Sequence, residues 1–214
     1  MQPLLLCSRN PGKLAELRAL LEDLPVEVLA PDEVPFPLPD VAEDGRSFFD
    51  NALKKAFAAA ETASAAGRPE IWALADDSGL VVDALNGEPG VRSARYAGEE
   101  GSRAERDQRN LALLLGRLDG VPAGRRTARF ACVIAVARGD ELLFAVEGAV
   151  EGRILEAPEG RSGFGYDPVF YHEASGRSFA CLDPEEKNAV SHRGQAMARL
   201  RAVLDTVLAG QKPR

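Results

Sequence analysis

The feature that most constrains the fold is an opening alternation of buried-strand and helix patterns, giving way after the middle of the chain to consecutive strands. Pro3-Leu4-Leu5-Leu6-Cys7 is a short apolar run bounded by polar residues, which suits a buried strand better than a helix. Asn10 is a good N-cap and Pro11 suits a first helical position, so leucines 14, 17, 20 and 21 predict a helix over residues 11–22. The Pro-rich stretch from Pro31 to Pro39 cannot be regular helix and reads as a surface crossing. A second helix is predicted over residues 48–66, Ala-rich enough for another element to approach closely, with Ser47 and Asp50 as a weak capping-box variant. A third, over residues 102–118, opens on the better box Ser102-Arg103-Ala104-Glu105 and carries Leu111, Leu114, Leu115 and Leu118. Strands at 127–137 and 141–150 flank Arg138-Gly139-Asp140, a hairpin turn. A last helix over residues 193–208 sets Met197, Leu200, Leu204, Val207 and Leu208 on one face, before a flexible tail at 210–214. The pattern predicts an α/β fold in a single domain, residues 1–209, with no repeat and no linker.

Composition removes several classes of function. With 214 residues, 45% hydrophobic and 28% charged, the chain can bury a real core. A net charge of -7 argues against a general nucleic-acid binder, although a small anion needs only a locally basic pocket. Cys7, Cys132 and Cys181 form no CxxC pair and leave an odd thiol, so neither a disulfide framework nor a zinc site is expected, and a reducing cytoplasm fits. No segment has the length and apolarity of a membrane span or an export signal, so no membrane partner is expected.

The chemical signal lies in polar cassettes between the elements. Residues 71–80 run an apolar strand into Asp76-Asp77-Ser78-Gly79, read as acids delivered to a strand end and a turn. Adjacent carboxylates repel unless a metal or basic partner compensates, and a solvated turn is the bland alternative. Ser8-Arg9-Asn10-Pro11-Gly12-Lys13 sits between a strand and a helix, where unpaired N–H groups and the helix dipole attract phosphate; simple capping by Asn10 is the alternative. Glu43-Asp44-Gly45, followed by Phe48 and Asn51, places an acid before the Ala-rich helix, where acids are ordinary. Phe164, Gly165, Tyr166 and Asp167 offer rings and flexible backbone that could stack a base and bond its edge, or a turn packed by its own aromatics. Lys187 with His192 and Arg193 gathers donors before the last helix, where Ser191 is a plausible cap.

Taken in order, these cassettes resemble the inosine/xanthosine triphosphate pyrophosphatase family along nearly the whole chain. The matching runs are Ser8-Arg9-Asn10-x-x-Lys13, Glu43-x-Gly45-x-x-Phe48-x-x-Asn51-Ala52-x-x-Lys55-Ala56 and Ala75-Asp76-Asp77-Ser78-Gly79-Leu80, then Ser93-Ala94-Arg95-Tyr96, Phe164-Gly165-Tyr166-Asp167-Pro168 and Ser191-His192-Arg193. Arg9 stands where the family usually has Gly, and Asp50 where Glu is common. The resemblance implies an elongated mixed sheet flanked by helices, two lobes with an active-site cleft between them, and a homodimer. It implies Mg2+-dependent hydrolysis of ITP, dITP and XTP to the monophosphate and pyrophosphate. Ser8, Arg9, Asn10, Pro11, Gly12 and Lys13 would cradle the phosphates, and Glu43 with Asp77 would hold the metal. Asp77 would also accept the proton of the attacking water, with Ser78 beside the substrate and Asp76 behind it. Phe164, Gly165, Tyr166, Asp167, Lys187, His192 and Arg193 would hold the base and neighbouring groups, with Lys187 open to sharing with phosphate. A purine-nucleotide-binding regulator with the same pocket and no turnover is the alternative.

Overall fold

A computed structural model describes residues 1–210, and its backbone is the α/β fold that the patterns predict. In chain order the elements are β1 (Gln2–Leu6), α1 (Pro11–Leu21), β2 (Val26–Leu29), α2 (Phe48–Ala65), β3 (Trp72–Val82) and α3 (Arg103–Arg117). Then come β4 (Thr127–Arg138), β5 (Glu141–Ile154), β6 (Phe170–His172), β7 (Arg177–Ser178), α4 (Pro184–Val190) and α5 (His192–Gly210). One sheet has the strand order β2-β1-β3-β4-β5-β6-β7. It is mixed: β1 runs parallel to β2 and β3, whereas β6 runs antiparallel to β5 and β7. Gly139, at φ 57°, takes the left-handed value at the start of the two-residue connection from β4 to β5.

The helix starts follow from local chemistry. The Asn10 side chain accepts from the Gly12 N–H, and Ser47 and Ser102 each close a full capping box with Asp50 and Glu105. Asp50 is therefore accounted for by the cap, its carboxylate accepting from the Ser47 N–H at 3.0 Å. Within the Pro-rich stretch, one side chain departs from the surface crossing expected there. Phe36 is buried against Leu5, Ala63 and Ile71, because prolines forbid a helix without deciding where a neighbouring ring points.

The chain forms two compact units. The first comprises Met1–Asp77, Val133–Glu147 and the chain from Ala196 onward. Its α2 lays Ala52, Ala56, Ala59 and Ala60 against Ala73, Ala75, Val133, Ala135 and Ala137, an interface of small side chains that draws the helix close to the strands. The second unit, Ser78–Cys132 and Gly148–Gln195, is built around Leu80, Val82, Leu114, Leu118, Phe130, Phe170 and Phe179. Phe130 packs on Phe170 with ring centroids 4.7 Å apart. Buried Arg126 donates to the carbonyls of Leu118, Val121 and Leu155, a wholly structural use of a guanidinium.

One expectation is corrected here. The strand does not end at the acids: β3 continues through Asp76, Asp77, Ser78 and Gly79 to Val82, with no turn. Leu80 and Val82 are fully buried, and their anchorage in the second unit's core holds the Ser-Gly pair extended. The acids are nonetheless clear of β1, which ends at Leu6 opposite Leu74. Four short elements, β2, β6, β7 and α4, went without a pattern of their own. The end of α5 at Gly210 leaves 211–214 of the expected tail outside the described residues.

Candidate active site

Successive side chains of a strand face opposite ways, and β3 uses this to send its two acids to different partners. Asp76 receives both contacts of the Lys13 ammonium, at 2.7 and 2.8 Å. Asp77 turns to α2, where Asn51 donates to it at 3.1 Å and Lys55 at 3.2 Å. Asn51 and Lys55 are four residues apart and so share one face of that helix. Lys55 also holds Glu43 at 2.7 Å, and the buried Asn51 accepts the Gly45 N–H at 2.8 Å. The loop carrying Glu43 is thus fastened to Asp77 through two side chains of α2.

This cluster sets two carboxylates around a single ammonium. Removal from water raises the pKa of Asp77, the Lys55 charge and the Asn51 hydrogen bond hold it down, and Glu43 pushes it up; the net direction is upward. Burial works against the charge on Lys55, but Asp77 and Glu43 together hold its pKa above the ordinary lysine value. The two shifts have different origins: that of Lys55 reports the acids around it, whereas that of Asp77 reports first its removal from water. Carboxylate oxygens are hard donors suited to Mg2+, so Glu43 and Asp77 fit that ion in kind and in charge.

At the joint between β1 and α1, Ser8 Oγ accepts the Asn10 N–H at 3.3 Å and Asn10 Oδ1 accepts the Gly12 N–H at 2.9 Å. Pro11 opens the helix, and Arg9 and Asn10 are exposed. Lys13 projects from the first turn of α1 to the acid beside Asp77. Sequence reasoning left Asn51 and Lys55 out of the site, although their spacing on an otherwise apolar helix face was a usable signal.

The second unit holds the other expected residues. Ser78 is exposed on β3. Asp167 is buried and its Oδ2 accepts the Phe164 N–H at 2.7 Å and the Lys187 ammonium at 2.6 Å, so this acid braces its own loop. The Gly165 N–H donates to Asp107 of α3 at 3.1 Å. Phe164 is 57% exposed, with the Arg103 guanidinium and the Lys187 ammonium each 4.7 Å from its centroid. Tyr166 differs from the expectation of a ring offered for stacking: it is buried, its hydroxyl donates to the Ser93 carbonyl at 2.9 Å, and burial raises its pKa. Phe164 is therefore the exposed ring of this loop. His192 and Arg193 are the first residues of α5 and do not precede it, and the His192 ring stacks on Phe130 at 4.9 Å. Ser191 Oγ accepts the Gly194 N–H at 3.1 Å, the capping role foreseen for it.

Fold and site together define an α/β protein whose first unit gathers carboxylates and ammoniums at the start of a helix, and whose second presents an aromatic ring between cations. The chain belongs to the Ham1 family, matching its pattern over residues 4–203. It is 47% identical to a dITP/XTP pyrophosphatase of Geobacillus kaustophilus over 99% of this chain and 98% of that protein. A dITP/XTP pyrophosphatase of Geobacter sulfurreducens is 48% identical over 94% of this chain and 96% of its own. Among solved structures, a HAM1 protein from Coxiella burnetii superposes with a TM-score of 0.86 at 41% identity, covering 96% of this chain and all of that one, 100%.

Proposed function

We propose that this chain is a nucleoside-triphosphate pyrophosphatase that hydrolyses the non-standard purine nucleotides ITP, dITP and XTP to the monophosphate and pyrophosphate. The observation that carries this reading is the cluster in which Lys55 joins Glu43 to Asp77, in a chain nearly half identical to dITP/XTP pyrophosphatases. When bound by Glu43 and Asp77, Mg2+ would neutralise phosphate charge and orient the attack. Asp77, its carboxylate oriented by Asn51 and Lys55, is the acceptor for the attacking water. Asn51 fixes the orientation of that carboxylate, and Lys55 meets the phosphate charge. Lys13, aligned by Asp76, works with Ser8, Arg9 and the start of α1 as the phosphate cradle.

Base choice belongs to Phe164, Lys187, His192 and Arg193. Hypoxanthine and xanthine carry a 6-oxo acceptor, whereas adenine would set a 6-amino donor against these donors. A site built on such buried polar contacts discriminates by as much as ~10⁴-fold. Among the described residues no helix is long and apolar enough to cross a membrane. A cytoplasmic homodimer is part of the same proposal and rests on the family resemblance alone. The test is product analysis with ITP, dITP, XTP, GTP and ATP, with and without Mg2+. Pyrophosphate from the first three is expected; orthophosphate as product, or tight binding with no turnover, would overturn the assignment.

A further inference from the structure

Within the second unit, the loop that presents Phe164 is not held by its own residues alone. Asp167 takes the Phe164 N–H, but the next N–H in the chain, that of Gly165, goes to Asp107, 58 residues away on α3. Gly165 sits at φ 60°, a conformation that glycine reaches without penalty and leaves as readily, so a bond from outside the loop decides which conformation is kept. The ring it carries is largely exposed and gains little from packing. Arg103, one turn before Asp107, lays its guanidinium 4.7 Å from the ring centroid. The ion pair between Arg103 and Asp107 is long, 3.9 Å, and an exposed pair of that kind contributes little by itself. What both residues share is the loop.

The platform beneath them is buried and hydrogen-bonded. Leu114 and Leu118 at the far end of α3 are fully buried. Asn110 accepts the Ala97 N–H at 2.7 Å and donates to the carbonyls of Ser93 and Ala94 at 3.2 Å, and the Tyr166 hydroxyl also ends on the Ser93 carbonyl. The helix, the turn at Gly90–Arg95 and the loop are therefore one hydrogen-bonded assembly.

We infer that Asp107 and Arg103 are positioning residues, which act through Gly165 and Phe164 to set how tightly the purine base is held. This rests on the reading of Phe164 as the base platform, and the experiment separates the two. Wild type, Asp107→Ala, Asp107→Asn, Arg103→Ala and Phe164→Ala are compared for kcat and KM on ITP, and for competitive inhibition by inorganic tripolyphosphate, which carries phosphate and no base. Asp107→Ala is expected to raise KM for ITP about tenfold, as loss of a charge-assisted hydrogen bond does, with kcat nearly constant. Asp107→Asn, whose amide oxygen accepts the same N–H, should recover most of that loss. Arg103→Ala should raise KM about threefold, the scale of an exposed cation–π contact. Tripolyphosphate should inhibit all of them equally. If Phe164→Ala raises KM and Asp107→Ala does not, or Asp107→Asn is as impaired as Asp107→Ala, or tripolyphosphate inhibition weakens in parallel with KM, the positioning role is wrong. If Phe164→Ala leaves KM unchanged, the base-platform reading fails, and this inference fails with it.

Discussion

Replacing Lys55 by methionine keeps the side chain's length and apolar stem while removing the ammonium that joins Glu43 to Asp77. The Asp77 side chain is 11% exposed and that of Lys55 17%, close to the condition in which stranding one member of an ion pair costs about 3–5 kcal/mol. Glu43, at 36%, is wet enough that its share falls toward the surface range of about 0–1 kcal/mol. Asp77 keeps Asn51 as a donor, which reduces its loss further. A net destabilisation of about 2 kcal/mol follows, and for a chain of this size it lowers Tm by about 4–8 °C. Thermal melts of the folded variant and wild type, with and without millimolar Mg2+, make the measurement. Mg2+ should raise the Tm of Lys55→Met more than that of wild type, because in the variant no ammonium has to be displaced from between the carboxylates. An unchanged Tm in the absence of metal, or equal metal-induced gains in the two proteins, would refute the picture of Lys55 as the internal counter-ion of a cation site.

Asp77→Asn should lower Mg2+-dependent pyrophosphate release at least ~10²-fold while circular dichroism stays native, since base and ligand are lost together; near wild-type turnover would remove Asp77 from the mechanism. Arg193→Ala should reduce kcat/KM for ITP far more than for ATP, and equal losses on both would assign Arg193 to phosphate or structure. The Cys7 thiol is pushed up to about 12 by burial, with Lys55 offsetting only part of the effect and Asp76 adding to it, so it stays protonated at neutral pH. Mass spectrometry after brief alkylation at pH 8 should therefore find the label on exposed Cys181, with Cys7 and buried Cys132 spared; early labelling at Cys7 would contradict its environment.

Much of the fold was legible because its signals are local. Asn10, Ser47 and Ser102 cap helices with partners two or three residues away, and leucine spacing announces the buried faces of α1, α3 and α5. The site was legible as a set of residue types and only partly as an arrangement. Asn51 and Lys55 were within reach of sequence reasoning, since four-residue spacing on α2 aligns them whatever that helix packs against. Tyr166 was not: next to Phe164 and Gly165 it looks like another stacking ring, and its burial depends on the Ser93 carbonyl, 73 residues away.

The amino-acid sequence by itself determined where the helices and long strands begin, the excess of acid over base, and the identity of every group able to bind phosphate or metal. Those properties arise from torsional preference, hydrophobic period and side-chain chemistry, all of which act within a few residues. Tertiary structure alone decided that β3 runs on past Asp77, because the burial of Leu80 and Val82 outweighs a local Asp-Ser-Gly preference for a turn. It also decided how charges are shared: Lys13 goes to Asp76 across 63 residues, Lys55 to Asp77 across 22, and Lys187 to Asp167 across 20. Which ammonium meets which carboxylate depends on distance in space, and sheet order and helix packing bring together groups whose separation along the chain carries no such information.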